Sequence, residues 1–141
     1  MFLTIDDYKP VCSSRELEIL QQSDTLTRER AERVAIEEVA SYLRNRYDTE
    51  RIFAAEGDER NAHLVQICVN VVLFYLVQWL PAKMASANRT ELYEYAIEWL
   101  KSVQAGKATP DLPTPQTDGE GKPMSSFPAA MGGFPKSRYD W

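Results

Sequence analysis

Residues 64–80 are apolar on nearly every face of the helix that they can form, and their polar members are Gln66, Asn70 and Gln78. A helix that spans a membrane needs about 20 predominantly apolar residues, and Pro81 ends this run early. We therefore expect a buried helix and no membrane contact. In water such a helix must be surrounded by other elements, because each large apolar side chain gains roughly 1.5–3 kcal/mol on full burial. Residues 64–80 therefore predict the central helix of a domain.

Capping patterns and apolar periodicity predict five helices in all. Two are short, namely one turn at residues 4–7 and a helix at about residues 14–22. Three are longer. One covers residues 27–47, one is capped by Asp58 and runs through Leu80, and one opens at residues 88–91 and ends before Gly106, the residue that follows its last turn. No strand pattern is present. The predicted fold class is all-α: a small helical bundle of three longer and two short helices, with an extended C-terminal arm.

The third predicted helix, residues 27–47, has an apolar stripe at helical spacing, made of Ala31, Ala35, Val39, Tyr42 and Leu43. Its opposite face carries Arg28, Glu29, Arg30, Glu32, Arg33, Glu37 and Glu38. A mixed charged face of this kind is typical of a solvated surface, and the alternative is a polar contact surface in an assembly. Residues 48–61, between this helix and the central one, are predicted as a connection with a short turn at residues 52–55.

The chain changes character at residue 108, after which six of its eight prolines occur. Such a segment cannot sustain a helix interior, so we predict a helical domain at residues 1–107 and an extended Pro/Gly-rich arm at residues 108–141. The arm contains aromatic residues that a purely solvating tail does not need. It is expected to dock on its own bundle, on a copy of the chain or on a different partner. The predicted anchors are Phe127, Phe134, Tyr139 and Trp141, with Lys136 and Arg138 supplying charge pairing.

The residues that carry chemistry are sparse. His63 is the single histidine, so a two-histidine metal site cannot form. Cys12 and Cys68 are too few and too widely spaced for a disulfide scaffold or a zinc site. The acidic residues near 50–59 lack the spacing of a calcium-binding loop. We therefore predict no catalytic, cofactor-binding or metal-binding residues, and a protein that is not an enzyme.

Several short motifs, in this order and spacing, resemble a known family. The chain opens with Leu-Thr-Ile-Asp-Asp-Tyr at residues 3–8. The sequence Tyr-Leu-x-x-Arg-Tyr follows at residues 42–47, and Ala-x-x-Trp-Leu at residues 96–100 is followed by Pro-x-Leu-Pro at residues 110–113. Together they resemble the Mu-like head–tail joining (neck) proteins of tailed bacteriophages. Residues 48–60 depart from that family, because Asp-Thr-Glu-Arg stands where many relatives have a proline-rich turn.

The resemblance implies a structural virion protein, assembled in the host cytoplasm, that forms a ring below the portal of the capsid. Such rings commonly hold about a dozen copies of one chain around a central opening. The implied partners are other copies of the chain, the portal protein and a tail-side neck or terminator protein, and no cofactor is implied. DNA would pass through the ring without sequence-specific binding. The formal net charge of −5 suits that role, since it opposes a tight grip on phosphates.

The alternative is a small helical DNA-binding or regulatory adaptor protein. The predicted helices at residues 14–22 and 27–47 could form a helix-turn-helix. The second of them would present carboxylates alongside its arginines, however, which a groove-reading helix avoids. This alternative predicts salt-dependent binding of DNA.

Overall fold

The computed structural model describes residues 2–80 and 87–115. They form five α-helices: α1 (Ser14–Leu20), α2 (Thr25–Leu43), α3 (Thr49–Ala54), α4 (Ala62–Gln78) and α5 (Ala87–Gln104). Short 3₁₀ turns occur at Ile5–Tyr8 and Gly57–Glu59. None of the described residues lies in a strand. The prediction of an all-α fold is confirmed.

Helix α4 is the central element, as its apolar sequence predicts. It packs against both α2 and α5, which also contact each other, so the three long helices form a three-helix bundle. The buried side chains of α4 come from all round the helix: Leu64, Ile67, Cys68, Val69, Asn70, Val71, Val72, Leu73, Leu76 and Val77. Within the described ranges, no helix is both long enough and apolar enough to cross a membrane.

Two helix starts differ from the sequence prediction. Asp24 caps α2 by accepting a hydrogen bond from the Leu26 N–H, so that helix begins at Thr25 rather than at residue 27. The start of α4 is later than predicted, because Asn61 is the N-cap and accepts from the Leu64 N–H at 2.9 Å. Asp58 lies instead in the 3₁₀ turn before it. The predicted cap at Asp58 is therefore wrong: Glu59 still belongs to the 3₁₀ turn, and Arg60 after it is extended.

The predicted connection at residues 48–61 contains a helix. The Asp48 side chain accepts a hydrogen bond from the Arg51 N–H, which starts the six-residue helix α3. Helix α2 ends at Leu43 rather than at residue 47 as predicted, so the Tyr-Leu-x-x-Arg-Tyr motif spans the end of α2 and the turn that leads to α3. After α5, Gly106 adopts a left-handed φ of 83°, as predicted for a residue that follows a helix.

The apolar stripe of α2 is confirmed, since Ala31, Ala35, Val39 and Leu43 are buried. The charged face is only partly solvated. Glu32 was predicted on that face, but it is only 3% exposed. The reason is that Tyr8, from the first 3₁₀ turn, donates a hydrogen bond to its carboxylate.

The first residues of the predicted arm pack on the helical domain. Leu112 is only 8% exposed and belongs to the hydrophobic core. The Asp48 N–H donates to the Pro113 carbonyl at 2.9 Å, and the Asn61 side-chain amide donates to the Asp111 carbonyl at 3.1 Å. Residue 107 is thus near the end of the last helix, whereas packing on the domain continues to Leu112 and Pro113.

Candidate interaction surfaces

The residues that most often carry chemistry are in structural positions. His63 stacks on the indole of Trp99, with ring centroids 4.6 Å apart. Cys12 and Cys68 are buried and free. Burial, together with the nearby Glu16 carboxylate, raises the pKa of the Cys12 thiol to about 11, and burial alone raises the pKa of the Cys68 thiol. Both cysteines are therefore protonated near neutral pH, and a protonated thiol is a poor nucleophile.

Acidic residues do not gather into an ion site in the described part of the chain, where no group of three or more histidine, cysteine or acidic side chains is close enough to hold a metal. The acidic residues at 56–59 lie on exposed turn positions. The described residues form a packed helical domain with distinct outer surfaces.

A buried carboxylate joins the N-terminal segment to α2. The Tyr8 hydroxyl donates a hydrogen bond of 2.5 Å to the Glu32 carboxylate, and the Arg28 guanidinium lies 3.4 Å from the same carboxylate. Burial raises the pKa of Glu32, and the Tyr8 hydrogen bond and the Arg28 charge partly oppose that shift. Burial next to a carboxylate also raises the pKa of Tyr8. The hydrogen bond fixes the first turn on the bundle.

A second carboxylate joins the three long helices. Glu38 of α2 accepts hydrogen bonds from the hydroxyls of Tyr75 on α4, at 2.6 Å, and Tyr93 on α5, at 2.8 Å. The ring of Phe74 stacks on Tyr93, with centroids 3.9 Å apart. Burial and the Glu38 hydrogen bond raise the pKa of both tyrosines. These contacts fix the relative positions of α2, α4 and α5, so that their outer faces form a stable surface.

The outer face of α5 has an acidic character around one aromatic ring. Tyr95 is 65% exposed, more than any other large hydrophobic side chain among the described residues. Glu91, Glu94 and Glu98 are also exposed and lie on the same side of the helix. We call Glu91, Glu94, Tyr95 and Glu98 the acidic face.

The outer face of α2 has the opposite character. Val34 is 42% exposed, and Arg30 and Arg33 are exposed beside it. Glu37, one turn further along, is engaged by Arg44 in two hydrogen bonds of 2.7 and 2.6 Å. Its charge is therefore largely offset. We call Arg30, Arg33 and Val34 the basic face.

A cleft of about 430 Å³ lies where the segment after α5 crosses α3. Its walls include Arg51, Ile52, Asn61 and Leu112. Arg60, also in its wall, donates to both carboxylate oxygens of Asp7, at 2.6 and 3.1 Å, and to the Phe2 carbonyl. The N-terminal residues, the turn before α4 and the start of the arm therefore meet around this cleft.

The sequence places Arg30 and Arg33 on a charged face for which a contact surface is the alternative interpretation, but it does not single out the acidic face, because exposure cannot be read from one helix alone. The signal that was available is the helical spacing of charges around a single apolar residue. The predicted arm anchors, Phe127, Phe134, Lys136, Arg138, Tyr139 and Trp141, lie outside the described residues, and their role stays a prediction.

Comparison with known proteins gives one match. The model of the family described as "Bacteriophage Mu, Gp36" matches residues 3–126. No curated protein and no solved structure matches the chain. The family match includes the 3₁₀ turn at the N-terminus, all five helices and the start of the arm. This chain therefore belongs to the bacteriophage Mu Gp36 family of phage proteins.

Proposed function

We propose that this protein is a structural component of the virion, a head–tail connector that forms a ring below the portal and lets the genome pass. The match of residues 3–126 to a phage family carries the proposal. Within that family, the resemblance of the sequence motifs to neck proteins supports the more specific role of a head–tail connector. In this role the protein acts by binding and assembly and has no catalytic activity.

The architecture supports this role. A connector must hold its shape while neighbouring copies and the portal press on it. Glu38 ties the three long helices together, and the Asp7–Arg60 pair, with 2.6 Å between the charged atoms, fixes the N-terminal segment. The start of the arm is also fixed, since Asp48 holds Pro113 by a backbone hydrogen bond. An arm that begins at a fixed point on a rigid domain reaches a defined neighbouring surface.

The charge of the chain supports passage of DNA without tight binding. Retention of a duplex requires clustered cations that replace its counterions, and the net charge here is −5. The proposed partners are other copies of this chain, the portal protein and a tail-side neck or terminator protein. The DNA-binding adaptor stays as the alternative that the test must separate.

The test is electron microscopy of the protein alone and mixed with its portal, together with a truncated chain that ends at Pro115. We expect the full chain to form rings. The truncated chain is expected to have the same melting temperature as the full chain and to lose portal binding. Truncation after residue 108 is a poor test, because it also removes the buried Leu112. A monomer that ignores the portal would contradict the proposal, and salt-dependent DNA binding by that monomer would favour the adaptor.

A further inference from the structure

The two outer faces of the bundle match each other in spacing and differ in charge. On α2, Arg30 and Arg33 stand four residues and one residue before the exposed Val34. On α5, Glu91 and Glu94 stand four residues and one residue before the exposed Tyr95. The two charged residues of each set are three residues apart, and the first of them is four residues before the apolar one, so each set shares one side of its helix. Each face thus has an exposed apolar residue with two like charges in the same positions beside it. The position three residues after the apolar one is Glu37 on α2, which Arg44 pairs, and Glu98 on α5.

The charges of both faces are available to a partner. Neither Arg30 nor Arg33 forms an ion pair with any residue in the described ranges, and the same holds for Glu91 and Glu94. The ion pairs seen between described residues involve Lys9, Arg28, Arg44, Arg60 and Arg89. Tyrosine is a common anchor of interfaces, since its ring supplies a large apolar area. The glutamates beside Tyr95 can in addition pair with cations of a partner.

We propose that the basic face of one copy of this chain binds the acidic face of the next copy. Charge complementarity indicates a second copy of the chain as the partner, because that copy presents the opposite charges at the same helical spacing. The two faces are different surfaces of one molecule, so the contact is head to tail. Repetition of such a contact produces a ring when the rotation closes and a filament when it does not.

This inference rests on the proposed connector function for ring closure, and it adds the surfaces through which neighbouring copies meet. In the contact, Tyr95 packs near Val34 while the arginines face the glutamates. Because the faces are exposed and charged, association is expected to weaken as salt rises and shortens the Debye length. Like charges brought together across an interface oppose binding strongly.

The test uses two charge-reversed variants, R30E/R33E and E91R/E94R, with mass photometry and sedimentation at low salt. The wild-type chain is expected to associate. Each variant alone is expected to associate on the order of a hundredfold more weakly, because each then carries two faces of like charge. An equal mixture of the two variants is expected to associate again, since the acidic faces of one variant meet the basic faces of the other.

The control is K9E/R15E, which changes the net charge by the same amount as R30E/R33E at exposed positions outside both faces. It is expected to associate like the wild type. All the substituted residues on the two faces are exposed, so unchanged melting temperatures are expected and verify that each variant folds.

The outcomes separate the two proposals. If the wild type forms rings and both variants form them equally well, the assigned faces are wrong and the connector function stands. Association through these faces into chains that neither close nor bind portal would support the faces and contradict the connector. Variants that form rings but lose portal binding would overturn the inference, since the faces would then belong to the portal contact. A monomeric wild type, with and without portal, would overturn both.

Discussion

Leu112 offers the sharpest test of where the folded domain ends. Its side chain is 8% exposed, in the core cluster, although it lies in the segment that the sequence predicts as an arm. Replacement of a buried leucine by alanine costs about 2–5 kcal/mol. Leu112 lies at the edge of the core, so we expect L112A to lower the free energy of unfolding by about 2 kcal/mol.

The measurement is urea denaturation followed by circular dichroism, with thermal unfolding as a second readout. For a domain of this size, a loss of about 2 kcal/mol corresponds to a fall in melting temperature of roughly 6–12 °C. The matched control is T114A, an exposed position in the same segment, with an expected change within about 0.5 kcal/mol. If L112A behaves like T114A, the segment is not held on the bundle and the domain ends at α5.

Three further predictions concern contacts within the bundle. D7N removes the carboxylate that Arg60 and the Thr4 N–H bind and is expected to cost about 2 kcal/mol at neutral pH, as charge-assisted hydrogen bonds do. Although burial alone would raise the pKa of Asp7, the hydrogen bonds from Arg60 and Thr4 and the Arg60 charge hold it below 3.8. The stability that the Asp7 charge contributes is therefore complete above pH 3.8 and is lost as the pH falls through the lowered pKa of the folded protein. The difference in free energy of unfolding between wild type and D7N should therefore disappear in acid. Y93F removes the hydroxyl that donates to Glu38 and is expected to cost about 1–2 kcal/mol in urea denaturation. S23G is expected to stabilise the protein by about 0.5–1 kcal/mol, because Ser23 has a left-handed φ of 57° that glycine adopts without strain.

Each of these predictions has a result that contradicts it. A gap between wild type and D7N that is constant from neutral pH to strong acid would mean that the Asp7 charge does not act through Arg60. If Y93F unfolds like the wild type, the Glu38 contact does not hold α5. An S23G variant no more stable than S23A would show that the turn between α1 and α2 carries no backbone strain.

The sequence predicts the central helix well. Residues 64–80 are apolar on nearly every face, so a helix formed by them has to be surrounded by other elements. The α4 start is harder, because Asp58 and Asn61 are both good cap residues by local propensity. The choice between them depends on distant contacts. Arg60, between the two, reaches back to Asp7 and to the Phe2 carbonyl, and the chain stays extended there.

The charged face of α2 shows the same limit. Glu32 and Glu38 look like solvated residues when the helix is read alone. Their partners are tyrosines 24, 37 and 55 residues away along the chain. No local pattern identifies such a partner. Tyr95 is the reverse case, an aromatic residue that is exposed. Its exposure can be predicted only when it is known that the other side of α5 faces α4.

Burial at the start of the arm is also hard to predict from the sequence. Proline correctly excludes helix after residue 108, but an extended segment can still bury an apolar side chain. Leu112 does so, and its neighbours Asp111 and Pro113 use their carbonyls as acceptors for Asn61 and Asp48. The predicted anchors further along the arm stay predictions for the Pro115 truncation to test.

The connector proposal depends most directly on assembly into a closed particle. Native mass spectrometry of the purified chain with its portal measures this in one experiment. The expected result is a discrete species whose mass exceeds that of the portal by a fixed whole-number multiple of 16.1 kDa, the same at every protein concentration. A spectrum that contains only the 16.1 kDa chain and the unaltered portal would contradict the proposed function.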